Sequence, residues 1–522
     1  MSEPSITNLP PPKTDPDPIW IGLAVYAIGW AWAFVSYRHQ INPDGISYIS
    51  IAQDYLVGDL RSAVNAYWSP LYSWLLVPLL AIKVPSLLAP KVISFLTGLA
   101  AYLAMSRISQ RLQIPARARL CVGLTLAPIL LFLGASVITP DLLTTTLTLF
   151  YLAHVTRHDA TSRPFHGLIA GAWGGIAYLA KAYAMWFFLG HFVLTTALDL
   201  VQSRNDRPRR WRTLQCLVTG LLAFAVIQGA WIGALAWKYH CFTTGSTASY
   251  NHALNGPSWP AHFYLDHGLI EPPNPNAVSS WEDPTDILMP QWSPFDSKEN
   301  FRHQIRLVRH NTSKTIGMLE GYSPLAVPGL LAAMIVTFRR RTAPMHRAAL
   351  LLIAAVFMYP VGYLFLHVEP RFLSLMALLI LILGIFAIYR LCPTPSPGRC
   401  ILITIFAVSF IVAPIRYLWR ERGSDLDALQ NAAALADVIP AGSRVAAIGE
   451  YYDTEYLAFH DRLKFLGLLR RPATAPEMLS ELKTHRVDYL FVWGDNAAPV
   501  SEDATDLARG KVKNLRVYRV AQ

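Results

Sequence analysis

The sequence predicts a mainly α-helical, polytopic membrane protein of about eleven transmembrane helices, followed by a small α/β domain. Three observations carry this expectation. The 522 residues are 53% hydrophobic and only 15% charged, and the mean hydropathy is +0.32, too apolar for a soluble chain of this size. Apolar runs of roughly 20 residues recur as far as residue 418. Beyond Arg420 the pattern changes: helix-like stretches (Leu426 to Val438, Ala475 to His485) alternate with β-like ones (Arg444 to Ile448, Asp488 to Trp493, Leu515 to Val520).

Taken in order, Met1 to Pro18 is a Pro-rich tail expected to be disordered and cytoplasmic. No basic region precedes the first apolar run and no small-residue cleavage site follows, so that run reads as an uncleaved span. Spans are placed near 19–37, 86–106, 118–138, 141–156, 165–181, 183–201, 213–236, 323–338, 348–366, 372–390 and 400–418. Tyr72 to Ile82 is apolar but short and broken by proline, which suits a surface or re-entrant helix. Trp20, Trp30 and Trp237, near the ends of apolar runs, suit interfacial anchoring or packing.

The net charge of +11 does not point to nucleic acid, because the arginines cluster between apolar runs. With the N-terminus inside, the clusters from Arg107 to Arg119, Arg157 to Arg163, Arg204 to Arg212, Arg339 to Arg347 and Arg390 to Arg399 all fall on the cytoplasmic side, as the positive-inside bias requires. Asp141, Lys181 and the His367 to Arg371 turn then share the outer side. Five cysteines, four of them in or beside membrane segments, imply neither a disulfide framework nor a thiolate metal site.

Two further polar regions fall outside. Arg38 to Pro70 carries Asn42-Pro43-Asp44-Gly45, turn chemistry that presents Asp44 at the mouth of a helix starting near Ile46. Asp44 is either a helix cap or a base. Lys238 to Tyr322 has no sustained helical or strand period and reads as a long loop whose length suits a lid; its polar Ser249-Tyr250-Asn251-His252 cluster is a candidate acceptor surface.

Ionisable groups beside apolar spans are costly unless paired or wet, and so are functional candidates. Asp141 follows Pro140, a combination that also simply starts a helix. Lys181 lies between two apolar runs, where a lysine can also snorkel. In His367-Val368-Glu369-Pro370-Arg371-Phe372, Glu369 and Arg371 either neutralise each other or form an oriented phosphate site, with Glu369 or His367 aiming the guanidinium. Carboxylates to deprotonate a hydroxyl and cations to hold a phosphate suit glycosyl transfer from a lipid phosphate.

These segments resemble the polytopic GT-C glycosyltransferases, the family of dolichyl-phosphate-mannose protein mannosyltransferases, bacterial aminoarabinose transferases and rhizobial lipopolysaccharide sugar transferases. The resemblance covers nearly the whole chain and rests on Pro43-Asp44-Gly45-Ile46-Ser47-Tyr48, Trp68-Ser69-Pro70-Leu71-Tyr72, Thr139-Pro140-Asp141, Ala180-Lys181-Ala182-Tyr183, the His367 to Phe372 turn and the soluble C-terminal domain. It implies a GT-C-like membrane domain over 19–418 and an extracytoplasmic domain over 419–522. It further implies Asp44 as the base with Tyr48 in support, Lys181 and Arg371 on the phosphate of a polyprenyl-phosphate sugar donor, and Asp141 positioning the acceptor or a divalent cation.

The acceptor implied is an envelope glycan, lipid or protein, and the location is the inner membrane with the site facing the periplasm or outside. One departure matters: many relatives have a second acid directly after the loop aspartate, where this chain has Gly45. That weakens a metal assignment unless Asp54, Asp59 or Glu369 takes its place. A transporter or flippase, and a receptor-like protein, are the rival readings. Transporters place ionisable groups at mid-membrane depth, whereas these collect at one boundary.

Overall fold

The computed structural model describes residues 17–257, 268–287, 289–339, 345–470, 473–498 and 505–520. Most of the N-terminal tail, and Arg340 and Arg341 of one basic cluster, lie outside the described residues. Each position read as a span holds helix: Ile19–Ser36, Leu88–Arg111, Ala116–Ala135, Asp141–Val155, Pro164–Ala180, Ala184–Gln202, Arg207–Tyr239, Ala326–Arg339, His346–Met358, Ser374–Leu391 and Pro397–Ser409. Among the described residues eight helices are long and apolar enough to cross a membrane, or nine if Lys298–Tyr322 and Ala326–Arg339, bent by 98° at their junction, count as one broken span. Asp141–Val155 and Pro164–Ala180, with 15 and 17 residues, fall short of that length.

With lipid outside and apolar side chains everywhere, close backbone approach holds such helices together. Gly167 and Gly171, four apart on one face of Pro164–Ala180, meet the backbone of Arg207–Tyr239: a Cβ on either would lie 2.0 Å from the carbonyl oxygen of Cys216 or Gly220. Arg347, read as a topology charge, is also a tie between helix ends. Its guanidinium donates to both Asp199 carboxylate oxygens and to the carbonyls of Val155 and Arg157. Trp20 and Trp237 are exposed, but Trp30 is buried against Tyr26, Phe34 and Phe95 and is a packing residue, not an interfacial anchor.

Two expectations for the polar segments need correction. The first-loop helix runs Pro43–Val57 with Asn42 at its N-cap, so Asp44 sits in the first turn and is not the cap. The segment after residue 238 is not a loop throughout: among its described residues it holds the helices Thr247–Leu254 and the 25-residue Lys298–Tyr322, with irregular chain between them. The latter helix buries Gln304, Asn311 and Thr315 while Phe301, Ile305 and Ile316 stay exposed, which blurs the core-facing stripe a sequence search looks for.

The C-terminal domain is a four-stranded sheet in the order β2-β1-β3-β4, with β1 Arg444–Ile448, β2 Lys464–Leu468, β3 Tyr489–Trp493 and β4 Leu515–Arg519. β1 pairs in parallel with β2 and β3, and β4 runs antiparallel to β3. The β2 strand and the helix Tyr451–Asp461 before it went unrecognised in the sequence. The domain shares a core with the first loop, Ile41 and Ile46 packing with Val445, Leu457 and Phe465. Asp425 accepts the Ile41 N–H at 3.0 Å, tying the domain's entry to that loop.

Candidate active site

Proline at the first helical position, with φ already set, starts the helix that carries Asp44. Asn42 does not cap this helix with its side chain. Its amide clasps the backbone of Ile138, accepting from the N–H at 2.8 Å and donating to the carbonyl at 3.2 Å. The clasp draws the corner before Asp141 against the first loop, and Gly45 makes room for it: a Cβ there would stand 2.7 Å from Ile138 Cβ and 3.0 Å from its Cγ2. A second acid after Asp44 has no space in this packing. Gly45→Ala is therefore expected to destabilise the protein by about 1–3 kcal/mol, read as a lowered unfolding midpoint in detergent, whereas Gly58→Ala, with no atom within 4 Å, bears only the strain of its positive φ.

Two turns deliver the cations. The helix Pro164–Ala180 ends at an extended Lys181, and Ser69 of the Trp68-Ser69-Pro70 segment accepts the Ala182 N–H at 2.9 Å, fixing that turn. Arg371 lies in the short 3-10 turn Pro370–Leu373 before the next span. Its Nη1 donates to Asp44 Oδ2 at 2.6 Å, its Nε to Glu369 Oε2 at 2.6 Å, and the same Nε stands 3.8 Å from Asp141 Oδ2. Lys181 Nζ donates to Asp141 Oδ1 at 2.6 Å and lies 4.0 Å above the Phe372 ring, a cation–π contact backed by the stacked Tyr363. His367 Nε2 is 3.4 Å from Glu369 Oε1. Burial pushes the Glu369 carboxyl up, but the His367 hydrogen bond and the Arg371 charge outweigh it and hold the group at about 2. Asp44, Asp141, Lys181, Glu369, His367 and Arg371, read from four separate segments, thus form one ion-paired cluster.

Beside it lies an aromatic wall. Trp281 Nε1 reaches Asp44 Oδ1 at 3.4 Å, and its carbonyl accepts from Trp68 Nε1 and Ser47 Oγ. Tyr48, one turn beyond Asp44, is buried edge-on to Trp68 and Tyr72, and burial pushes its phenol well above the ordinary range. Tyr67 and Tyr250 complete the wall against Trp281. Sequence reading missed Trp281; its neighbour Pro284 and the acids around it gave no periodic signal.

The C-terminal domain reaches this wall. Ser279 donates to the fully buried Glu455 at 2.6 Å, while Glu282 accepts from the backbone of Val278 and Ser279. Burial raises the Glu455 carboxyl to about 8. Because the folded value lies above the unfolded one, the folded protein holds the extra proton, and stability falls as pH rises from the usual glutamate range through about 8. Thermal unfolding of Glu455→Gln is expected to lose this decline, with the largest gain over wild type above pH 8.

Of the proposed acceptor-side residues, Tyr250 joins the aromatic wall, while Asn251 donates to the Thr247 carbonyl. His252 occupies another face of that short helix, stacked on Trp292 at 4.2 Å and 3.3 Å from Gln304. Asp54 contacts Asn274 and Asn276, and Asp59 caps Leu60–Ala63, so neither joins the cluster. Among the described residues no group of three or more His, Cys, Asp or Glu is arranged to hold a metal ion. Asp44, Asp141 and Glu369 converge on a guanidinium, a donor set that does not fit a divalent cation as it stands.

No family model matches the chain, and no curated protein matches it significantly. Solved structures do. The chain is similar to ArnT from Cupriavidus metallidurans bound to undecaprenyl phosphate, with a TM-score of 0.57 at 15% identity over 96% of this chain and 98% of that one; the apo state of the same protein gives 0.56 at 15% identity over the same shares. It is also similar to an oligosaccharyltransferase from Archaeoglobus fulgidus in complex with Zn and sulfate, with a TM-score of 0.51 at 10% identity over 90% of this chain and 68% of that one. The fold is that of the GT-C glycosyltransferases, and the chain is an integral, multi-pass membrane protein.

Proposed function

We propose that this protein is an inverting glycosyltransferase, moving a sugar from a polyprenyl-phosphate donor to an envelope glycan, lipid or protein acceptor on the periplasmic or outer face of the inner membrane. One observation carries the reading: a single guanidinium, Arg371, bridges Asp44, Glu369 and Asp141 at the end of a membrane helix, with Lys181 on the same Asp141. The shared fold with ArnT, solved with undecaprenyl phosphate, supports a donor of that kind.

Asp44 takes the proton from the acceptor hydroxyl as its oxygen attacks the anomeric carbon. The bond from that carbon to the phosphate oxygen breaks, and the lipid phosphate leaves with the electron pair. Arg371 and Lys181 stabilise the developing charge, so the leaving group needs no acid and one base suffices. Glu369 and Asp141 hold the two cations in place, and donor phosphate displaces part of their ion pairing. Attack opposite the leaving group inverts the anomeric centre. Tyr250 belongs to the acceptor side, on the wall that Trp281 extends to Asp44.

The test is chemical. Purified protein incubated with labelled polyprenyl-phosphate sugar and an envelope extract is expected to release free polyprenyl phosphate and a labelled acceptor of inverted configuration. Donor recovered intact, but moved across the bilayer of a proteoliposome, would instead identify a flippase.

A further inference from the structure

Lys298–Tyr322 is amphipathic in an unusual sense. Its inner side is mostly polar, with Leu319 near the C-terminal end packed in the core: Gln304 donates to the Phe365 carbonyl, Asn311 to those of Leu364 and Leu366, and Tyr322 to that of Pro370. Those bonds brace the backbone leading to Arg371. Its outer side exposes Phe301, Ile305 and Ile316, at 50%, 55% and 46%. At 100° per residue these three, with Thr312, fall within about 60° of arc, and Arg309, Arg302 and Arg306 occupy roughly the next 60°. All three arginines are exposed and none has an ion-pair partner among the described residues.

Two features give this face a setting. The helix turns through 98° into Ala326–Arg339, so if that apolar helix runs along the membrane normal, Lys298–Tyr322 runs along the membrane plane. Through Gln304 it abuts Phe365, and the adjoining candidate span His346–Leu364 exposes Phe357 and Val361, with Phe365 just beyond its end also exposed. An apolar stripe flanked by arginines in this orientation matches the headgroup boundary, the acyl chains below and the phosphates alongside.

We propose that Lys298–Tyr322 is a membrane-surface helix whose arginine edge, Arg302, Arg306 and Arg309, binds the phosphates of anionic lipids in the leaflet beside the candidate site. The stripe sets the depth and the arginines select the headgroup charge. Neither depends on whether the site transfers sugar.

The test uses the full chain in nanodiscs of phosphatidylcholine with phosphatidylglycerol, the native cysteines replaced, and a bimane fluorophore on Ile305→Cys. Quenching by a nitroxide carried on phosphatidylglycerol is compared with quenching by the same nitroxide on phosphatidylcholine. The expected result is quenching by both, about two-fold or more stronger for the anionic lipid. That preference should disappear in R302E/R306E/R309E, and in wild type at high salt, which screens exposed charges without any change of sequence. Equal quenching by the two lipids would overturn the phosphate assignment. No quenching by either would place the helix in water and favour a soluble acidic partner instead.

Discussion

Asp44→Asn is expected to lower turnover of the polyprenyl-phosphate sugar by about 10²–10⁴-fold while leaving KM for the donor unchanged or lower. Asparagine keeps the shape and the contact with Trp281 but cannot accept the acceptor's proton. It also releases Arg371 from one of the two carboxylates it holds at 2.6 Å, so the guanidinium becomes more available to phosphate. Separate measurement of kcat and KM, with an unchanged unfolding midpoint, checks the assignment. Near-normal kcat in this variant would remove Asp44 from the chemistry and leave it as a counter-ion.

Arg371→Lys is expected to cost about 10²–10³-fold in kcat/KM, the loss typical of removing a preorganised donor from an oxyanion site. The charge survives, but the planar fork does not: one ammonium cannot hold Glu369 through Nε and Asp44 through Nη1 with nitrogens left over for a phosphate. Lys181→Arg is the informative companion. The ammonium there sits 4.0 Å over Phe372, in a space shaped for a compact group. Equal activity of Arg371→Lys and wild type would mean that phosphate recognition needs only a point charge.

Much of the ionised cluster was legible because charged groups at the ends of greasy helices are few and expensive, so Asp44, Asp141, Lys181, Glu369 and Arg371 stand out without any knowledge of contacts. What the residues could not disclose was how they meet. Gly45 reads as a missing acid, and only the packing shows that Ile138 occupies the space a side chain would need. Lys298–Tyr322 escaped because Gln304, Asn311 and Tyr322 hydrogen-bond to carbonyls of the neighbouring segments while Phe301, Ile305 and Ile316 face outward, which breaks the stripe of the usual surface helix. Trp281 and Glu455 were invisible for a simpler reason: each acts across a separation no local pattern encodes, 237 residues to Asp44 in one case and 176 to Ser279 in the other.

The ion pair between Asp44 and Arg371 spans 327 residues, and the segment that bears Trp281 is gripped by the C-terminal domain through Ser279 on Glu455. Asp44 emerges from the ribosome long before Arg371, so the cluster cannot assemble until the segment bearing that guanidinium has been made and packed against the first loop.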